Sequence, residues 1–204
     1  MKEYITLISI VLLVACKSET KKDTTQTVQV EQKEQVESKQ ATTENKPVSK
    51  GTFLCKINDK DWAYTKASGI VDTHAKTKKR TAIMTFTKKL DKGSESVQLF
   101  YDADTYQLEK ATAILKTPEK GGGTMSAMYH LLNEGGKRLP DSAISGSIDL
   151  SNATSASGTA EVSNMKIRFE EGKLEDQSMA VISFTSLKFS GVGYSDLDKA
   201  FGNK

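Results

Sequence analysis

Hydrophobic and polar residues alternate with a period of two along much of the chain after residue 50. In its first stretch the apolar positions 53, 55 and 57 share one parity, and the alternation resumes after turn-forming residues at 58–61. Successive side chains of a β-strand point to opposite faces, so this spacing predicts a hairpin over residues 52–67. The residues predicted to pack on one another in it are Phe53, Cys55, Ile57, Trp62 and Tyr64.

The same alternation recurs further along the chain, with glycine-containing turns between the alternating segments. Two more hairpins are predicted, one around the turn at 91–93 and one around the turn at 118–123. Segments near 143–150, 158–169 and 178–190 are again rich in Ile, Val, Phe, Ser and Thr. Many short strands separated by turns predict a mainly β fold, either an antiparallel β-sandwich or a small barrel.

Two segments also fit the spacing of a helix. Near 104–115, Asp104 could act as an N-cap for a helix whose apolar side is formed by Leu108, Ala111 and Leu115. Near 195–201, the chain predicts a short terminal helix that ends at Gly202. In that segment Ser195 and Asp198 have the spacing of a capping box.

The first sixteen residues contain the one long apolar run of the chain. Residues 4–14 are apolar except for Thr6 and Ser9, and small Ala15 follows directly before Cys16. Eleven helical residues rise only about 16 Å, well short of the roughly 30 Å hydrocarbon core of a bilayer. The length is typical of the apolar region of a secretory signal, so residues 1–15 are predicted to be a cleaved signal peptide.

The motif Leu13-Val14-Ala15-Cys16 resembles the lipobox of bacterial lipoproteins. The resemblance implies that the thiol of Cys16 carries a diacylglycerol, including palmitate, and that the signal is cut just before it. Two or three acyl chains hold a protein stably on a membrane, so the implied partner is a membrane contacted through Cys16. Lys17 stands where an aspartate would resemble an inner-membrane retention signal, which favours the outer membrane of the bacterial cell envelope. The alternative is an ordinary secretory signal in which Cys16 has no role.

The composition changes sharply near residue 51. Residues 17–50 contain no glycine and no aromatic residue, and their seven lysines face six acidic residues. Such a segment buries too little apolar surface to offset its ordering entropy, so 16–50 is predicted to be a lipidated cysteine followed by a disordered tether. Residues 51–204 are predicted to form a single β-rich domain.

The charge balance of residues 51–204 bears on the class of partner. This part has 21 Lys and Arg residues against 19 Asp and Glu residues. No basic stripe results, so the sequence predicts no nucleic acid partner.

The residues that could carry chemistry are few. Cys55 is the one thiol besides Cys16, and its alternation with Ile57 predicts a buried structural cysteine rather than a nucleophile. His74 and His130 lie in no close-spaced ligand pair, so no zinc site is predicted. The Asp-x-Asp pairs at 59/61 and 102/104 lack the rest of a calcium loop. The sequence therefore predicts no catalytic residue, metal or cofactor.

Two features remain as candidates for ligand binding. The sole tryptophan, Trp62, could stack on a sugar, but a core position in the first hairpin is the favoured interpretation. The basic loop of Lys76, Lys78, Lys79 and Arg80 is typical of a solvated hairpin tip; the alternative is a contact for an anionic envelope surface.

These observations favour a lipid-anchored envelope protein with a non-enzymatic ligand-binding or scaffolding domain. Its partner would be an envelope glycan, a small ligand or another protein. The spacing of Phe53, Ile57-Asn58, Lys60 and Trp62 is similar to the opening of some β-rich envelope lipoprotein domains of unknown function. The alternative is a hydrolase acting on envelope polysaccharide or peptidoglycan, which would require converging carboxyl groups in a pocket.

Overall fold

The structure, a computed structural model, describes residues 51–133 and 135–202. It is mainly β, as the alternation predicts. Two short 3-10 segments, Glu171–Lys173 and Gln177–Ala180, precede the last strand. The strands and the one helix of the described residues are β1 (Thr52–Ile57), β2 (Lys60–Tyr64), β3 (Lys66–Thr73), β4 (Arg80–Lys89), β5 (Ser94–Asp102), β6 (Leu108–Pro118), β7 (Thr124–His130), β8 (Ala143–Ser145), β9 (Ile148–Asp149), β10 (Ser155–Ile167), β11 (Val181–Asp196) and α1 (Leu197–Ala200).

All these strands belong to one sheet that closes into a ring. Strands β3, β4, β5, β6, β7 and β10 are neighbours in that order, and β11 pairs with both β10 and β3. The hairpin β1–β2 extends from β11, while β8 and β9 pair with β10. The β11–β3 pairing is parallel, so the sheet is mixed rather than purely antiparallel as predicted. The long chain between these two strands makes the parallel pairing feasible.

The three hairpins lie where the alternation predicts them. β1 pairs with β2, β4 with β5, and β6 with β7. The first turn has two residues, Asn58 and Asp59, both with positive φ of 45° and 63°. That conformation suits a tight hairpin turn, because its twist matches that of the flanking strands, and Asn and Asp tolerate it.

Phe53 does not share the buried face of the first strand, contrary to the prediction. A register shift between Phe53 and Cys55 inserts one extra residue, and Leu54 is buried together with Cys55. Phe53 is left 47% exposed. A β-bulge changes the parity of the residues on one side of it, which a strict period of two cannot anticipate.

The helix expected near 104–115 is absent from this part of the described chain, where residues 108–118 form β6 instead. Leu108 and Ala111 are both buried, a helix-like step of three. This spacing of buried residues is caused by a register shift between β5 and β6. Phe100 pairs with Lys110, but the next residue of β5, Tyr101, pairs with Leu108. The bulge turns both apolar residues inward within a strand that pairs with β5 and β7.

The terminal helix is present as α1, but its cap differs from the prediction. Ser195 lies in β11, and Asp196 is the N-cap, whose carboxylate accepts a hydrogen bond from the backbone N–H of Lys199 at 3.4 Å. One turn of helix is far too short to span a bilayer, and no described helix is long and apolar enough to do so.

Aromatic side chains fill the interior between β4 and β11. Phe86 lies 5.2 Å, centroid to centroid, from both Tyr64 and Phe189. Two buried tyrosines add hydrogen bonds, since the Tyr101 hydroxyl donates to the carbonyl of Thr159 and the Tyr129 hydroxyl donates to the carbonyl of Met179. The aromatic contacts connect β2, β4 and β11 across the interior.

Candidate functional site at one end of the barrel

A cleft of about 350 Å³ opens at the end of the ring where β4 and β6 finish and β5 begins. Strand β2 and the 3-10 segment Gln177–Ala180 border it on the other side. The volume is near the lower end of the range for small-molecule sites, and the mouth of a barrel is a common place for one. The residues lining the cleft are Ile57, Lys60, Asp61, Trp62, Lys88, Glu95, Leu115, Lys116, Thr117, Pro118, Asp176 and Met179.

Glu95 places a carboxylate on the inward face of the barrel. It continues the buried parity of β5, which Val97, Leu99 and Tyr101 otherwise fill with apolar groups. Glu95 is only 9% exposed. A carboxylate in such a position is costly unless charged or hydrogen-bonding groups compensate for its lost hydration.

Three groups supply that compensation. The indole N–H of Trp62 donates to Oε2 of Glu95 at 2.8 Å, and the backbone N–H of Lys116 donates to Oε1 at 3.2 Å. The Nζ of Lys88 lies 3.4 Å from Oε2. Glu95 is therefore charge-paired and held by strands on both sides. A carboxylate can accept about four hydrogen bonds, so Oε1 keeps an acceptor site that no other described residue uses.

Trp62 is 4% exposed and pairs directly with Cys55 across the first hairpin. The prediction of a buried tryptophan in that hairpin is confirmed. A ring that stacks on a sugar needs an open face, and this one has almost none. Trp62 nevertheless contributes to the cleft, because its N–H orients Glu95.

Thr117 adds an unusual polar group to the cleft lining. It follows Leu115 on the inward face of β6 and is 3% exposed. Its hydroxyl has no hydrogen-bond partner among the described residues. Buried polar groups without partners are rare in folded proteins, and each one calls for an explanation.

The remaining charges around the cleft are largely matched. Asp61 lies 3.1 Å from the Nζ of Lys56. Hydrogen bonds from the hydroxyl and backbone N–H of Ser178 lower the pKa of Asp176. The positive charge of Lys60 lowers this pKa further. The cleft thus combines an apolar floor with a rim of balanced charge.

The basic loop lies at the opposite end of the barrel. Lys79 forms an ion pair with Glu109, and its Nζ lies 3.6 Å from Asp102. Arg80 pairs with Asp196. Of the four predicted contact residues for an anionic surface, Lys79 and Arg80 are thus engaged with carboxylates, whereas Lys76 and Lys78 are exposed.

The remaining candidates are dispersed. Cys55 is fully buried, and burial raises the pKa of its thiol to about 12, so the thiol is protonated at neutral pH, as expected of a structural cysteine. The ring of His74 accepts the backbone N–H of Thr77 within the β3–β4 turn. His130 ends β7. These three residues thus lie in three different parts of the fold.

Of the Asp-x-Asp pairs, Asp59 and Asp104 lie in turns, whereas Asp61 lies in β2. The carboxylate of Asp102 accepts the backbone N–H groups of Asp104 and Thr105. Within 51–133 and 135–202, no group of three or more His, Cys, Asp or Glu residues is arranged to hold a metal ion.

Sequence reasoning missed Glu95 and Thr117. Each continues the period-two parity of buried residues in its own strand, with Val97 for Glu95 and Leu115 for Thr117. The signal in the sequence was a polar residue, next to a turn, at a position where the alternation predicts a buried apolar one.

No protein-family model matches this chain, and comparison with curated proteins and with solved structures finds no match either.

Proposed function

We propose that this protein is a lipid-anchored, non-enzymatic binding protein of the bacterial cell envelope, favoured for the outer membrane, whose barrel holds a small ligand in the cleft beside Glu95. The observation that carries the proposal is a cleft of about 350 Å³ that has a buried, oriented carboxylate in its wall. Placing a charged group on the inward face of a small barrel has a stability cost, and binding is a reason to retain it.

The anchor is supported by sequence alone. The predicted signal peptide 1–15, the lipidation site Cys16 and the tether to residue 50 lie outside the described residues. The lipobox-like motif supports a location in the cell envelope, and a domain attached through a long segment could present its cleft away from the membrane surface.

The hydrolase alternative needs a carboxyl group whose pKa is raised so that it can act as a general acid. Among residues 51–133 and 135–202, the carboxyl pKa shifts that are resolved, at four aspartates, are all downward. In the cleft, Glu95 is already paired with Lys88. No observation favours this second candidate over binding.

Anchoring is tested with Cys16→Ser in the full-length precursor. We expect the variant to keep its signal peptide and to carry no acyl chains, as judged by intact mass. A variant that is processed and partitions like the wild type would contradict the lipid anchor.

Ligand binding in the cleft is tested with the neutral dye N-phenyl-1-naphthylamine. We expect a saturable rise in dye fluorescence with the wild type and loss of that rise in Met179→Phe, which narrows the cleft. The matched control is Met128→Phe, because Met128 is exposed on the outside of β7. Equal dye binding by wild type and Met179→Phe would refute the cleft as the binding site.

A further inference from the structure

We infer that the cleft selects an uncharged ligand with an apolar body and one head group, such as a hydroxyl or an amide, that both donates and accepts a hydrogen bond. This inference rests on the proposed function and adds to it the chemical class of the ligand. Its premises are the pairing of Glu95 and the unpaired hydroxyl of Thr117.

The charge of Glu95 is already matched inside the protein. Lys88 lies 3.4 Å from Oε2, and the indole N–H of Trp62 occupies the same oxygen. A cationic ligand would compete with Lys88 for the charge of Glu95, and an anionic ligand would lie beside the Glu95 carboxylate. Neither charged head group finds an unbalanced opposite charge that would offset its lost hydration, so a neutral head group is favoured.

Two hydrogen-bonding positions in the cleft lining are left unused by the described residues. Oε1 of Glu95 accepts one backbone N–H and can accept another hydrogen bond. The hydroxyl of Thr117 has no partner and is covered in this structure, so a head group would reach it only when Thr117 turns the hydroxyl toward the cleft. Both residues have inward parity on adjacent strands, β5 and β6, which pair with each other. A ligand hydroxyl could donate to Glu95 and accept from Thr117, which a carboxylate or an ammonium group could not do in its charged form.

The body of the ligand would contact apolar side chains. Ile57, Leu115, Pro118 and Met179 line the cleft around these two polar positions. An apolar floor with a few oriented polar groups is the usual construction of a small-molecule site. Methionine adapts its shape to a ligand readily, which suits Met179 at the border of the cleft.

The inference is tested with three eight-carbon probes that differ only in the head group: 1-octanol, octanoate and octylammonium. The readout is the indole N–H resonance of Trp62, which is the sole tryptophan signal of the protein and reports directly on the Trp62–Glu95 hydrogen bond. We expect saturable shifts, with 1-octanol binding at least ~10-fold more tightly than either charged probe at neutral pH. Tightest binding of octylammonium or of octanoate would overturn the inference.

Thr117→Val and Thr117→Ser test the role of the hydroxyl. We expect Thr117→Val to weaken 1-octanol binding by ~5-fold, since one neutral hydrogen bond is lost, and Thr117→Ser to stay within ~2-fold of the wild type. Unchanged affinity in Thr117→Val would show that Thr117 does not contact the head group.

The experiment separates this inference from the proposed function. If dye binding is saturable and blocked by Met179→Phe while a charged eight-carbon probe binds best, the binding function stands and the neutral ligand class fails. If the dye binds and no eight-carbon probe shifts the Trp62 resonance, the binding function stands and the proposed class of neutral ligand is contradicted. If the dye also fails to bind, both proposals fail.

Discussion

The two ends of the barrel differ in where their charged side chains lie. At the cleft end, one buried carboxylate, Glu95, faces a cavity of about 350 Å³. At the opposite end, which we call the paired end, Arg80 lies between Asp196 and Asp198, and Lys79 pairs with Glu109. The same sheet thus carries a set of ion pairs at one end and a cleft with a buried carboxylate in its wall at the other.

The difference also predicts where stability resides. Ion pairs with exposed side chains contribute ~0–1 kcal/mol each, because water screens them and the side chains lose entropy. Buried aromatic side chains contribute several times more through burial and packing. We therefore expect the cleft end to be more sensitive to substitution than the paired end.

The largest expected effect is that of Trp62→Ala at the cleft end. Removing this buried side chain leaves a cavity and also takes away the N–H that satisfies Glu95, so unfolding free energy should fall by ~3–5 kcal/mol. Urea denaturation of the purified domain, followed by circular dichroism, measures it.

Trp62→Phe is the matched control for that prediction. It keeps an aromatic ring and loses only the hydrogen bond and part of the volume, so the expected loss is smaller, ~1–3 kcal/mol. Equal losses in the two variants would show that the hydrogen bond to Glu95 dominates; no loss in Trp62→Ala would contradict the core role of this residue.

The sequence predicted most of the fold because a single periodicity governs it. The three hairpins and the mainly β class follow from alternation and turn residues alone. Two of the errors, at Phe53 and at the segment 104–115, trace to β-bulges. A bulge depends on how two strands pair across the sheet, and that information is not local to either strand.

The site was predicted less well. Trp62 was correctly placed in the core, but its bond to Glu95 joins residues 33 positions apart. The basic loop was identified from its composition, whereas the partner of Arg80, Asp196, is 116 positions away. Contacts at such separations depend on the closure of the ring, which composition and spacing do not reveal.

At the paired end, the strongest expected effect is that of Arg80→Met. The Asp196 side chain is only 7% exposed, so removing the guanidinium leaves a buried charge with Lys199, at 3.4 Å, as its remaining charge partner. We expect a loss of ~1–2 kcal/mol in urea denaturation, below that of Trp62→Ala. Lys76→Met in the same loop is the control and should stay within ~0.5 kcal/mol, since Lys76 is exposed. A loss for Arg80→Met larger than that for Trp62→Ala would reverse the comparison of the two ends.

The paired end should also respond to acid. Burial by itself would raise the pKa of Asp196, but the backbone N–H of Lys199 and the charge of Arg80 outweigh it, so the pKa is lowered. A carboxyl group with a lowered folded-state pKa stabilises the fold above its unfolded pKa of about 4, and that stability is lost as the pH falls below it. Asp196→Asn should therefore lose less stability than the wild type between about pH 4 and pH 2.

Asp176→Asn supplies the comparison at the cleft end, because the pKa of Asp176 is lowered mainly by Ser178 within an exposed turn. We expect its acid dependence to stay closer to that of the wild type. If the unfolding free energies of the wild type and of Asp196→Asn fall in parallel with decreasing pH, protonation of Asp196 does not contribute to the acid sensitivity.

The smallest expected effect has the opposite sign and belongs to Thr117→Val at the cleft end. The substitution keeps a β-branched side chain suited to a strand and replaces a buried, unpaired hydroxyl by a methyl group. Unfolding free energy should rise by ~0.5–1 kcal/mol, measured by urea denaturation without ligand. Thr112→Val is the control, because the hydroxyl of Thr112 donates to Gln98 and its loss brings no such gain. A stabilising Thr117→Val that also binds 1-octanol more weakly would show that the open end retains an unpaired polar group for its ligand at a cost in stability; a destabilising Thr117→Val would show that the hydroxyl is satisfied within the fold.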